Sequence, residues 1–220
     1  ADEFGRRNQP ASLNEAEKLQ PPLVQKPGAV QNRRGSNRRW MKVQWQVKGN
    51  KAEAGIFGSE GYIPTSAAMG VELSVHDIIM QIEGNAYRME FNAFRKWMDR
   101  NRNFSRVMIR CIEAFSIQLT YTAISNALHG VDERLARWLL MCHDRVSGDE
   151  IPLTHEFISL MLAVRRPSVT TSLHVLEGNG FIRSNRGNII IRHRQALEEF
   201  ARDAYGKPEA EYRRLMTGLF

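Results

Sequence analysis

The sequence predicts an α+β fold: a small strand-rich segment, then one long apolar helix, then short helices closed by a β-hairpin. Three observations predict it. Met41, Val43, Trp45 and Val47 alternate with Lys42, Gln44 and Gln46, the period of a half-buried strand. From Phe104 to Leu128 apolar residues recur every three or four positions, the period of a helix. After Gly130, two short amphipathic segments flank a tight turn, and two apolar runs then surround Asn185-Arg186-Gly187-Asn188.

Residues 1–39 are rich in Asn, Gln, Pro and Arg and show little periodicity beyond a short helical pattern from Leu13 to Leu19. They read as a basic, poorly ordered segment. Lys48-Gly49-Asn50-Lys51 is a turn, and Ala52 to Phe57 returns as the partner of the first strand. Leu73 to Ile82 and Asn85 to Met89 read as two further strands, and Phe91 to Met98 as a short helix. On the long helix, Phe104, Met108, Cys111, Phe115 and Leu119 form one apolar seam. Such a seam suits either a core helix or a coiled-coil-like pairing with a second copy. Val131 to Arg145 is an amphipathic helix burying Leu135, Trp138, Leu139 and Cys142.

Thr154 is a fitting N-cap for the next helix, with Glu156 in its first turn and an end at Ala163. The following stretch, Val164 to Glu177, carries the most chemistry. Val169, Leu173 and Leu176 form a buried stripe, while Arg166, Thr170, Thr171 and His174 occupy the opposite face. Pro167 fits the first turn of a helix, and Gly178 and Gly180 bracket its end. Two short helices joined by about three residues make a helix-turn-helix. The second would present Arg165, Arg166 and Ser168 at its start, groups suited to guanine edges and phosphates. The hairpin after Gly180 forms a wing whose Arg183 and Arg186 suit phosphate contacts. Gln195 to Tyr205 and a segment around Tyr212 read as closing helices.

A formal charge of +7 favours a polyanionic partner. One excess lies in Arg6-Arg7, Arg33-Arg34 and Arg38-Arg39. A second, from Arg165 to Arg194, faces a single acid, Glu177. No stretch of about 18 apolar residues and no signal-like N-terminus is read, so no membrane partner is expected. Cys111 and Cys142 lack metal or CxxC spacing and read as reduced thiols of a cytoplasmic protein. His76, His129, His143 and His193 show no ligand spacing either. No catalytic fingerprint is present, so an enzyme is not expected.

Several motifs resemble the CRP/FNR-type transcription regulators. They are Glu133-Arg134-Leu135-Ala136-Arg137-Trp138-Leu139-Leu140, Ile151-Pro152-Leu153-Thr154, Val164-Arg165-Arg166-Pro167-Ser168-Val169-Thr170, and Leu176-Glu177 before a glycine. The resemblance is close from about Asn126 to Tyr205, and weaker over Ala54 to Gly61, which is similar to the family's β-roll. It implies a degenerate or truncated β-roll over 40–102, a dimerisation helix over 103–129 and a winged helix-turn-helix over 130–220. It further implies a homodimer on an inverted-repeat operator of double-stranded DNA, with RNA polymerase as another partner. Thr154 and His155 would meet phosphate, and Arg166 falls where the family reads a base.

The departures are specific. No arginine lies between Phe57 and Tyr87, where the family's cyclic-nucleotide sensors hold the phosphate, so no cyclic nucleotide is expected. Two cysteines cannot hold an iron–sulfur cluster, and the effector stays unassigned. Pro167 replaces a glutamate and Thr171 an arginine of the best-known members, which predicts a different operator. The rival reading is an interaction module that keeps the fold without operator binding.

Overall fold

The computed structural model describes residues 41–47, 50–72, 74, 77–80, 82 and 87–219. The segment 1–39, the turn residues Lys48, Gly49, Glu83 and Gly84, and His76 lie outside the described residues.

β1 (Met41–Val47) pairs antiparallel with β2 (Asn50–Phe57), with an irregularity at Val43/Gln44. β3 (Asp77–Met80) covers the other edge of β1, giving the order β2-β1-β3. The strand expected over Leu73 to Ile82 is thus shorter. Of the one expected at Asn85 to Met89, the described residues Tyr87 to Met89 are irregular. A 3-10 turn (Thr65–Met69) lies between β2 and β3.

α1 (Phe91–Arg100) buries Phe94 against Tyr62 and Phe104. Asn101 separates it from α2 (Arg102–Leu128): its Oδ1 accepts from the Phe104 N–H at 2.9 Å and starts the second helix. One stripe of α2 packs inward. Phe115 lies 4.2 Å from Phe57 between ring centroids, and Cys111 is buried with its thiol near the Glu60 carbonyl. Gln118 accepts from the Ile56 N–H at 2.9 Å and donates to the Ile56 carbonyl at 3.2 Å, fixing the helix to β2.

A second side of α2 is apolar as well. Ile109, Ile124 and Leu128 are exposed. By length and composition α2 could span a membrane, although Arg106, Arg110 and Glu113 interrupt its first half. Ser116, Thr120, Ala123 and Ala127 are exposed as well.

α3 (Val131–His143) is the axis of the second half. The amphipathic pattern expected for it gives way to burial on every side, from Leu135 through Cys142. The reason is its position: the helices Arg166–Gly178 and Arg194–Ala201 and the long α2 all reach it, and even Arg137 is buried, donating to Thr122 Oγ1 at 3.0 Å. Around it stand α4 (His155–Leu162), α5 (Arg166–Gly178) and a sheet of order β4-β6-β5, comprising β4 (Glu150–Ile151), β5 (Ile182–Asn185) and β6 (Asn188–Ile191).

α6 (Arg194–Ala201) stops four residues before the expected Tyr205, because Arg202 turns the chain at φ 51°. Arg194 anchors its start on Asp144, Glu198 and Tyr205, each at 2.7 Å. Burial lowers the Arg194 pKa, but Tyr205, Asp144 and Glu198 outweigh it and hold the guanidinium charged. α7 (Lys207–Met216) then runs back along α2, where Arg110 donates to the Leu215 carbonyl at 2.6 Å.

Candidate nucleic-acid interface

The helix-turn-helix is set by its turn. Thr154 Oγ1 accepts from the Phe157 N–H at 3.1 Å and opens α4. Ala163 closes it in the left-handed region, φ 52° and ψ 42°, and the Val164 N–H returns to the Ser159 carbonyl. This sharp exit sends Arg165 to the N-cap of α5, with Arg166 and Pro167 in its first turn. Val169, Ser172, Leu173 and Leu176 face the core, as the periodicity requires. Arg165, Arg166, Thr171 and His174 are therefore exposed together, while Ser168 and Thr170 are half-buried at the margin.

Hydrogen bonding refines what this face can offer. Thr170 and Thr171 donate their hydroxyls to the Arg166 and Pro167 carbonyls at 3.2 and 3.1 Å. Outward they present methyl groups and oxygen lone pairs, not free donors. With the Thr170 proton engaged, His155 must donate from Nδ1 across 3.3 Å to Thr170 Oγ1, which leaves its Nε2 for a partner outside the chain. The exposed donors at the helix start are the two guanidinium forks, beside main-chain N–H groups and the positive end of the helix.

The wing lies next to this face. Gly187, at φ 77°, allows the tight β5–β6 turn and puts Arg186 at its tip, exposed, with Arg183 exposed on β5. Glu177 Oε1 accepts from the Ser184 N–H at 2.9 Å, tying the wing to the end of α5. That tether was hidden in the sequence, where Glu177 reads only as the lone acid among arginines. A cleft of about 830 Å³ between α4, α5 and the wing gathers Thr154, His155, Arg166, Thr170, His174 and Arg186. Arg165, Ser168, Thr171 and Arg183 lie outside its walls.

The seam expected on α2 is distributed differently. Phe104 packs against Phe94 and Trp97, Cys111 faces Glu60, and Phe115 rests on Phe57, all within the chain. Met108 and Leu119 are half-buried on the same side. Burial and the Glu60 charge push the Cys111 thiol up to about 11. Among the described residues no group of three or more His, Cys, Asp or Glu could hold a metal ion.

Residues 133–200 match the family model of the Crp-like helix-turn-helix domain. No curated protein matches by sequence. Solved structures with the same fold include TTHB099, a CRP-family transcriptional regulator from Thermus thermophilus. It is 18% identical over 75% of this chain and 87% of its own, with a TM-score of 0.61. FixK2 from Bradyrhizobium japonicum is 14% identical over 76% and 87%, with a TM-score of 0.55. The c-di-GMP-responsive global regulator CLP of Xanthomonas campestris is 11% identical over 70% and 80%, also at 0.55. The exposed arginine face, its wing and these likenesses agree: residues 133–200 form a Crp-like helix-turn-helix domain, in a chain that shares the fold of CRP-family regulators over about three quarters of its length.

Proposed function

We propose that this protein is a sequence-specific DNA-binding transcription regulator that acts as a homodimer on an inverted repeat. One observation carries the reading. Arg165, Arg166, Thr171 and His174 are exposed on the outer face of α5, which has its core side fully buried, and the wing holds Arg183 and Arg186 beside it. Such a helix enters the major groove by its N-terminal residues. Arg166 reads a base edge, the threonine methyls suit a thymine methyl, and Arg165 and the wing arginines hold phosphates, whereas His155, with Nδ1 donating to Thr170, offers Nε2 as an acceptor that does not pair with phosphate.

The second copy is supported by the outer face of α2. Ile109, Ile112, Ser116, Thr120, Ala123 and Ala127 follow spacings of three, four, four, three and four. They form one straight stripe along the helix, and its small residues allow two helices to approach closely. Thr120 already donates to the Ser116 carbonyl at 3.0 Å, so its hydroxyl proton would not be buried unpaired. This face replaces the Phe104–Leu119 seam as the proposed dimer face. A two-fold axis there would set two α5 helices about 34 Å apart, one turn of DNA.

Selecting bound duplexes from a random pool tests the reading. An enriched inverted repeat is the expected result, and no enrichment over random duplex would favour the interaction-module reading. On the enriched site Arg166→Ala should cost about 1–3 kcal/mol and relax one position per half-site. Arg186→Ala should weaken all sequences alike and reduce the salt slope by about one per subunit.

A further inference from the structure

We propose that the chain holds a second ligand site, apart from the DNA face, for a small uncharged ring-bearing molecule. A cavity of about 330 Å³ opens where β2, α2, the end of α3 and α7 meet. That volume suits a compact organic ligand. Its apolar wall is Ile56, Phe57, Cys111, Ala114 and Phe115, with Phe57 and Phe115 already in ring contact. Cys111 stays a neutral thiol there, since its pKa is raised.

The charge class follows from the polar wall. Glu60 takes Arg145 Nε at 2.7 Å and the Gly58 N–H at 3.0 Å. Asp144 is held by Arg194 and by the Tyr205 hydroxyl, at 2.7 and 2.8 Å. Glu209 accepts the Gly206 N–H, and burial raises its pKa. Each inner charge thus has a partner or is pushed toward its neutral form; Arg213 stands exposed at the rim. A charged ligand would have to break one of these pairs, whereas a neutral ring only displaces water. Tyr212, whose hydroxyl donates to the Glu60 carbonyl at 3.2 Å, supplies a polar contact at the mouth.

The position gives the site its meaning. Glu60 alone touches the sheet side, Arg145 after α3, Tyr212 of α7 and Cys111 of α2. A molecule lodged beside it presses on the joint between the sheet half and the DNA-binding half.

The test uses the full chain and two probes. N-phenyl-1-naphthylamine, neutral, should brighten saturably at one molecule per chain. Its charged relative anilinonaphthalene sulfonate should bind at least tenfold more weakly. Ala114→Phe, which fills the cavity, should abolish the neutral signal while far-UV circular dichroism stays native. Because that variant could fail to fold, benzophenone is also photocrosslinked to the wild type and the labelled peptides are mapped. Saturable labelling within 56–61, 111–118 and 208–213 is expected. Labelling confined to the Ile109–Leu128 outer face, unsaturable binding, or equal affinity for the sulfonate would each overturn the proposal.

Discussion

Replacing Gln118 with Ala should separate the long helix from the sheet. The amide spans both main-chain groups of Ile56, a residue with no exposed surface. Two hydrogen bonds are lost, each worth about 1 kcal/mol net, and the two groups left behind cost about 1–3 kcal/mol apiece if they stay dry. The neighbouring cavity, lined by both residues, can admit water to them. That places the expected loss at the lower end, about 2–3 kcal/mol. The assay is urea unfolding followed by circular dichroism at fixed protein concentration, with an unchanged m value showing that the same unit unfolds. Gln118→Glu is the sharper control. Its carboxylate can still accept from the Ile56 N–H but faces the carbonyl oxygen, so the folded chain favours the protonated acid. Its folded pKa lies above the unfolded value, and stability should fall as pH rises from about 5 to about 8. An alanine variant less than about 0.5 kcal/mol below wild type would refute this account of the joint, since it lies below the range of a single buried hydrogen bond.

Three further outcomes follow from the geometry. Ala163→Gly should raise stability by about 0.5–1 kcal/mol, because the left-handed conformation at φ 52° burdens alanine and suits glycine; a lower melting temperature would contradict it. Cys111 should resist iodoacetamide at about pH 8 in the folded chain, and stability should drop between about pH 9 and about 11, where the native state keeps a proton that the unfolded chain has released; rapid native-state labelling would show the thiol is not held as described. On α2, paired Ile109→Glu and Ala123→Glu should give folded monomers by sedimentation, whereas Phe115→Glu should unfold the sheet half; dimers surviving the first change would place the interface elsewhere.

The DNA-binding half was legible in the sequence because its signals are local. Thr154, the Val169–Leu173–Leu176 stripe and the Asn185–Asn188 turn each dictate their own few residues, and all sit where the pattern puts them. The long helix was only half legible. It has two apolar faces, and periodicity cannot say which one turns inward. That choice rests on Gln118, polar and by type a surface residue, whose amide finds Ile56 sixty-two positions away. β4 escaped notice for a related reason: two residues carry no period, and only pairing with Ile189 and Ile190 makes them a strand. The end of α6 at Arg202 likewise has no breaker residue to announce it. On the DNA face, the residue types were readable, but the tether from Glu177 to Ser184 and the His155–Thr170 contact needed three dimensions.

The separation of faces on α5 bears on how such a protein changes over generations. Val169, Ser172, Leu173 and Leu176 hold the helix in place, while Arg165, Arg166, Thr171 and His174 stand exposed on the other side. Selection for folding and selection for target therefore act on different letters of one helix. Exposed positions of this kind tolerate substitution at under about 0.5 kcal/mol. If α5 reads an operator as proposed, a lineage could rewrite it through base-facing side chains such as Arg166 and Thr171 without crossing a folding threshold. On the same proposal the wing arginines would keep their hold on the backbone, so intermediates with a blurred preference would still bind DNA. Pro167 and Thr171, where the sequence departs from the best-known CRP/FNR-type regulators, sit on that exposed side, where such drift meets least resistance.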